Sequence, residues 1–151
     1  MKVEVKEIRY ASWEYSREIE LRTKILREPL GLRYSEKDLA DEINEIHLCA
    51  FHESQIVGCL LLKAVGKSIM KMRQVAVDTN AQGLGIGRLL VEASEEKSKA
   101  MGASEIQLHA RDTAVPFYLK LGYEIFDEPF VEVGIPHRKM KKSIRSQNGK
   151  M

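Results

Sequence analysis

The feature that most constrains this chain is a turn between a strand and a helix. Ile69 to Val77 reads as an apolar strand, and Ile86, Leu89, Leu90, Ala93, Ala100 and Met101 then recur at helical spacing. Between them runs Asp78-Thr79-Asn80-Ala81-Gln82-Gly83-Leu84-Gly85-Ile86-Gly87-Arg88, with glycine at three alternate positions. Glycine there permits positive φ and lets a ligand approach the backbone. The unpaired N–H groups of the first helical turn point the same way, at the positive end of the helix dipole. Together they predict a site for an anion such as a pyrophosphate. Two rival phosphate loops fit poorly. A Walker loop ends in Gly-Lys-Ser/Thr, whereas Gly87 is followed by Arg88-Leu89. A dinucleotide fingerprint is G-x-G-x-x-G after the first strand of a parallel unit, whereas this loop is G-x-G-x-G and comes after several strands.

The rest of the chain builds around that turn. Val3–Tyr10 alternates as a first strand, and Ser12 can cap a helix to about Leu26 with Trp13, Leu21 and Ile25 on its apolar side. Pro29 and Gly31 break it, and Arg33–Asn44 is loop-like with room for a short helix after Ser35. Ile46–Phe51 and Ile56–Ala64 read as a hairpin, followed by Ile69–Val77, so that three antiparallel strands lie side by side. After the main helix come a strand at Glu105–Ala110, a helix capped by Thr113 with Pro116 in its first turn, and strands Tyr123–Phe126 and Val131–Met140. The order β-α-(α)-β-β-β-α-β-α-β-β predicts an α/β fold, a mixed sheet with helices packed on it. Residues 1–142 are expected to form a single domain, and 143–151 a flexible basic tail.

Composition excludes several functions. Charged residues are 30% of the chain with a net charge of +2 and well-mixed signs, which speaks against nucleic acid. No apolar run reaches the ~20 residues of a membrane span, and no signal peptide is visible. Only Cys49 and Cys59 are present, so a disulfide framework is not expected and a cytoplasmic setting is. His47, Cys49, His52 and Cys59 match no common zinc spacing, and no metal is expected.

With these residues in view, the chain resembles the GCN5-related N-acetyltransferases. Their pyrophosphate loop, Q/R-x-x-G-x-G/A, is matched by Gln82-Gly83-Leu84-Gly85-Ile86-Gly87, and Val75-Ala76-Val77-Asp78 is similar to the strand before it. A second block, Phe117-Tyr118 followed by Leu121-Gly122-Tyr123, is similar too. Leu21–Gly31 and Glu132–Met140 resemble the ElaA/YjcF-like branch. The resemblance implies a sheet of about six to seven mostly antiparallel strands, splayed between the fourth and fifth and flanked by about four helices. It implies acetyl-CoA as co-substrate and direct attack by a primary amine of a small-molecule or peptide acceptor, and it allows a homodimer. The backbone of Val75, Ala76 and Val77 would hold the pantetheine arm, and Gln82, Gly83, Leu84, Gly85, Ile86, Gly87 and Arg88 the diphosphate.

By the same resemblance Tyr118 would serve the departing thiolate, and a core tyrosine beside Phe117 is the alternative reading. Arg111 stands where many relatives carry a CoA-contacting asparagine. The general base stays open among His109 on the fifth strand, Glu132 or His137 in the final hairpin, and water. Arg22 and Arg27 could bind an acidic acceptor, but a solvated helix face is expected for both. A CoA-binding or regulatory module without transfer is the alternative function, and a non-enzymatic interaction domain would leave the glycine loop unexplained.

Overall fold

A computed structural model describes residues 2–145. The expected tail at 146–151 lies outside the described residues. Hydrogen-bonded strands follow one another in the order Glu4–Ile8, Ile46–His52, Gln55–Gly66, Ile69–Val77, Glu105–Arg111, Ile135–Ser143, Glu124–Glu132. The described residues fall into two compact units, one running up to Lys63 and including Gln74–Ser94, the other made of Ala64–Arg73 and Glu95 to Arg145.

In the first unit β1 (Glu4–Ile8) pairs antiparallel with β2 (Ile46–His52), and β2 with β3 (Gln55–Gly66). The reversal at Glu53–Ser54 has positive φ at both residues (50° and 66°), as a tight hairpin with right-twisted strands requires. Helix α1 (Trp13–Arg22) starts where expected, Ser12 Oγ accepting the Tyr15 N–H at 3.2 Å. Regular α geometry stops at Arg22, and the chain continues through a widened turn, Thr23–Arg27, and a tight turn, Glu28–Leu30, to Gly31. The buried side of α1 carries Tyr15, Glu18, Leu21 and Arg22, while Trp13 is 64% exposed, against expectation. Helix α2 (Glu36–Ala40) is closed by a reciprocal capping box between Ser35 and Asp38. Leu21, Cys49, Cys59 and Ala76 form the buried centre, with Ile8, Ile25, Leu26, Phe51 and Ile56 packed around it.

In the second unit β4 (Ile69–Val77) begins parallel to β5 (Glu105–Arg111), in a ladder from Ile69–Glu105 to Met72–Leu108. β5 then pairs antiparallel with β7 (Ile135–Ser143), and β7 with β6 (Glu124–Glu132). Alternation sorts β5 into two faces: Ile106, Leu108 and Ala110 are buried, while Gln107, His109 and Arg111 point to the other side. Opposite these last three on β7 stand Lys141, Lys139 and His137.

Three boundaries differ from expectation. The hairpin reverses at Val133–Gly134, both at positive φ, so Val131 and Glu132 extend β6 rather than opening β7. Helix α4 (Val115–Lys120) is preceded by a tight turn, and its N-cap is Ala114 without a side-chain bond, not Thr113. The tail does not begin at 143: Ser143 ends β7, and Ile144, 3% exposed, donates its N–H to Ser104 O at 2.9 Å. An apolar side chain inside an otherwise basic stretch gives that segment its anchor.

Candidate functional site

The glycine turn is built by hydrogen bonds on both sides of it. Asp78 N–H donates to Val57 O at 2.8 Å, which ties the end of β4 to β3. The Asp78 carboxylate accepts the Asn80 N–H, and Gln82 Nε2 donates to Val77 O at 3.0 Å. Gly83 and Gly85 then take φ of +86° and +79°, which other L-residues rarely adopt. A Cβ on either would meet no heavy atom within 4 Å, so the space above the loop is open. Leu89 N–H donates to Gly85 O, closing the first turn of α3 (Ile86–Ala100). The N–H groups of Ile86, Gly87 and Arg88 lie ahead of that bond, among the first-turn donors for which a helix supplies no acceptor of its own. Gly87 itself is helical, so a conformational need for glycine is confined to Gly83 and Gly85. The Arg88 side chain turns along the helix to Glu92 at 3.1 Å, leaving its backbone as the group the loop offers.

The helix can approach β3 because of Gly58. A Cβ there would lie 2.9 Å from Leu90 Cδ1 and 3.0 Å from Ile86 Cγ2. Nothing local in the text around Gly58 marks it, and sequence reasoning passed over it. Upstream of Val75, Gln74 takes φ +55° inside β4, a strained setting for a residue with a Cβ. Its amide oxygen accepts the Tyr34 hydroxyl, and its carbonyl accepts Cys59 Sγ–H at 3.6 Å. Beyond this kink Ala76 is buried while Val75 and Val77 are half-buried.

Arg22 corrects the reading of α1 as a solvated cationic face, since its side chain is fully buried. It donates to Glu18 Oε2 at 2.8 Å and to both oxygens of Glu42, at 2.8 and 2.5 Å. Tyr15 Oη donates to the same Glu42 at 2.7 Å. His47 Nδ1 lies 3.1 Å from Glu18 Oε1, and Nε2 3.2 Å from Glu42 O. Both ring nitrogens thus face acceptors, so both donate and the ring is an imidazolium. Burial opposes that charge, but the hydrogen bond and charge of Glu18 outweigh it and raise the His47 pKa. Glu18, Glu42 and His47 cluster tightly enough to hold a metal ion, yet the Arg22 guanidinium already stands among them as the cation. Arg27 and Arg22 also lie over the Tyr34 ring, 4.7 and 4.6 Å from its centroid. The signal for this network was the (i, i+4) pair Glu18–Arg22, which exposed helices also show.

In the second unit Tyr118 is buried, its ring edge-on to Phe117 at 5.0 Å and to Tyr123 at 5.8 Å. Burial pushes its phenol well above the usual range, so it stays protonated and able to donate. Tyr123 Oη donates to Glu95 at 3.0 Å, and Lys142 Nζ bridges Glu95 and Leu121 O.

Three residues considered singly as a base come together here. His109 Nδ1 lies 2.8 Å from Glu132 Oε1, His137 Nε2 lies 3.9 Å from Glu132 Oε2, and Phe130 sits beside both rings. His137 Nδ1 donates to Ile135 O at 2.7 Å. Burial lowers the His109 pKa, and Lys71 and Lys139 add to this against the pull of Glu132. Burial opposes the Glu132 charge, but the His109 bond and neighbouring positive charge outweigh it and lower that pKa.

The strand order and the glycine turn define the acyl-CoA N-acyltransferase class of fold. A family model for the acetyltransferase (GNAT) domain matches residues 24–144. YyaT of Bacillus subtilis is 35% identical over 115 residues, covering 73% of this chain and 77% of that one. The B. subtilis N-acetyltransferase YjcF is 37% identical over 73 residues, 48% of this chain and 52% of its own. An aminoglycoside 6′-N-acetyltransferase solved with coenzyme A superposes with a TM-score of 0.80 at 16% identity, over 95% of this chain and 98% of that one, which shows a shared fold. The chain belongs to the GNAT acetyltransferase family, and it is an N-acetyltransferase. Among the described residues no helix is long and apolar enough to cross a membrane.

Proposed function

We propose that this enzyme moves the acetyl group of acetyl-CoA to a primary amine of its acceptor by direct attack, in the cytoplasm. The observation that carries the reading is the Gly83–Arg88 turn, with two glycines at positive φ and an open approach to the start of α3. The diphosphate of CoA lies on these N–H groups, and the pantetheine arm runs along the backbone of Val75, Ala76 and Val77. The β4–β5 ladder stops at Met72–Leu108, ahead of the kink at Gln74 held by Tyr34 and Cys59, and β4 backbone without a ladder partner on β5 supports this. Tyr118 hydrogen-bonds the departing thiolate, a role that suits a phenol kept protonated by burial.

Titrating CoA calorimetrically into wild type and Gly85→Val tests the loop. Valine cannot adopt φ near +79° without strain, and its methyl groups would enter the space assigned to phosphate. A loss of CoA affinity of about 100-fold or more in a folded variant is expected. Unchanged affinity would overturn the loop assignment.

A further inference from the structure

We infer that His109, with Nδ1 held by Glu132, is the base that takes the proton from the acceptor's ammonium group. This rests on the acetyl-transfer reading above, and three observations carry it. The first is position. The β4–β5 ladder ends at Met72–Leu108, and His109 is the next residue of β5. It is therefore the first residue of β5 beyond the paired segment, where the strand is released from its parallel neighbour.

The second is the tautomer. A carboxylate only accepts, so the Nδ1 facing Glu132 carries the hydrogen and the lone pair of the neutral ring lies on Nε2. A carboxylate on the far nitrogen fixes the tautomer and orientation of a histidine base, as the Asp does in a Ser-His-Asp triad. Phe130, packed edge-on at 4.9 Å, fixes the ring plane from the side.

The third is the electrostatic setting. His109 faces Glu132 from β6, Lys139 and His137 from β7, Lys71 from β4 and Arg111 on its own strand. Partial burial first, and then Lys71 and Lys139, lower the imidazole pKa and favour the neutral ring that a base must be. Glu132, 46% exposed, prevents that shift from removing its basicity altogether and balances the imidazolium once it forms.

The protons balance as follows. The acceptor R–NH3+ gives one proton to His109 Nε2, which releases it to solvent. The neutral amine forms the C–N bond at the thioester carbon, and the C–S bond then breaks. The second proton lost from nitrogen ends on sulfur, giving R–NH–acetyl, CoA-SH and one proton. In this scheme Glu132 is a positioning residue.

The test uses acetyl-CoA and n-butylamine as the acceptor probe, with thiol release followed from pH 5 to 9 for wild type, His109→Gln and Glu132→Gln. His109→Gln should lower kcat/KM by about 100-fold, leave CoA affinity unchanged by calorimetry, and abolish the acid limb of the pH profile. Glu132→Gln should lower kcat/KM by about 10-fold and move that limb to lower pH, because the ring loses the charge that stabilises its protonated form. A merely structural Glu132 would not move the limb, and this shift decides the matter if His109→Gln does not fold. Wild-type kcat/KM with an unchanged limb in His109→Gln overturns the inference. So does a wild type that binds CoA but leaves n-butylamine untouched, since a base at this position acts on any amine small enough to enter. A wild type that fails to bind CoA would instead overturn the functional reading beneath it.

Discussion

In the first unit His47 gives Nδ1 to Glu18 and Nε2 to Glu42 O, with both carboxylates and Arg22 sealed from water. In the second, His109 gives Nδ1 to Glu132 while a quarter of its side chain remains exposed. The residue types match and the bond lengths are close. The consequences differ because of what surrounds them. Every strong acceptor near His47 finds a donor, its ring is charged, and no lone pair is left for chemistry. At His109 one nitrogen is fixed and the other keeps its lone pair, in a cationic setting that holds the ring neutral. Saturated partners turn a histidine–carboxylate pair into structure, and one unsaturated nitrogen leaves it a reagent.

Breaking the buried cluster should have the largest effect on stability. Arg22→Ala leaves Glu42 and Glu18 without their cation and is expected to cost about 3–5 kcal/mol in urea unfolding. Glu132→Gln, at a half-exposed pair, should cost about 1 kcal/mol or less in the same measurement. Equal losses would erase the distinction between the clusters.

Tyr118→Phe examines the second unit through rate rather than stability. The hydroxyl's role in the departing thiolate predicts a loss near 100-fold in kcat and kcat/KM together, with CoA affinity little changed. The melt should report about 1 kcal/mol of lost stability. Wild-type turnover in this variant would return Tyr118 to the core.

Gly58→Ala tests how packing in the first unit sets the glycine turn. The added methyl must displace Leu90 and Ile86, and overpacking of this kind costs about 1–3 kcal/mol. Because Ile86 opens α3, CoA affinity should fall as well, and calorimetry beside a melt reads both. A destabilised variant with normal affinity would separate the helix's packing from its anion site.

The smallest effects separate the two histidines by sign. The His47 pKa is raised in the folded state, so its stabilisation is complete below the unfolded value of about 6.5 and is lost as pH rises through the folded pKa. The His109 pKa is lowered, so its contribution runs the other way: stability falls as pH drops below about 6.5 towards the folded pKa. Urea unfolding from pH 5 to 9 should show His47→Gln removing the decline on the alkaline side and His109→Gln removing the one on the acid side. Slopes of the same sign would break the comparison.

The strands, the main helix and the glycine turn were legible because each is specified by neighbours in the chain. Alternation marks Ile69–Val77, helical spacing marks Ile86–Ala100, and Gly83 and Gly85 do what local backbone sterics demand. Where reading failed, the missing partner lay far along the sequence. Arg22 looks like any exposed helix cation until Glu42, 20 residues on, is folded beside it. Trp13 looks like core until the helix is seen to bury Tyr15, Glu18 and Leu21 instead.

By itself, then, the sequence determined the glycine turn and the family fold around it, because backbone freedom and period are local properties. Only the tertiary structure decided which ionisable groups are structural and which are reactive. Strand register brings Glu132 to His109 across 23 residues, and burial fills every site on His47 while leaving one lone pair on His109. Charge state depends on desolvation and on partners in space, and neither is written in the order of residues.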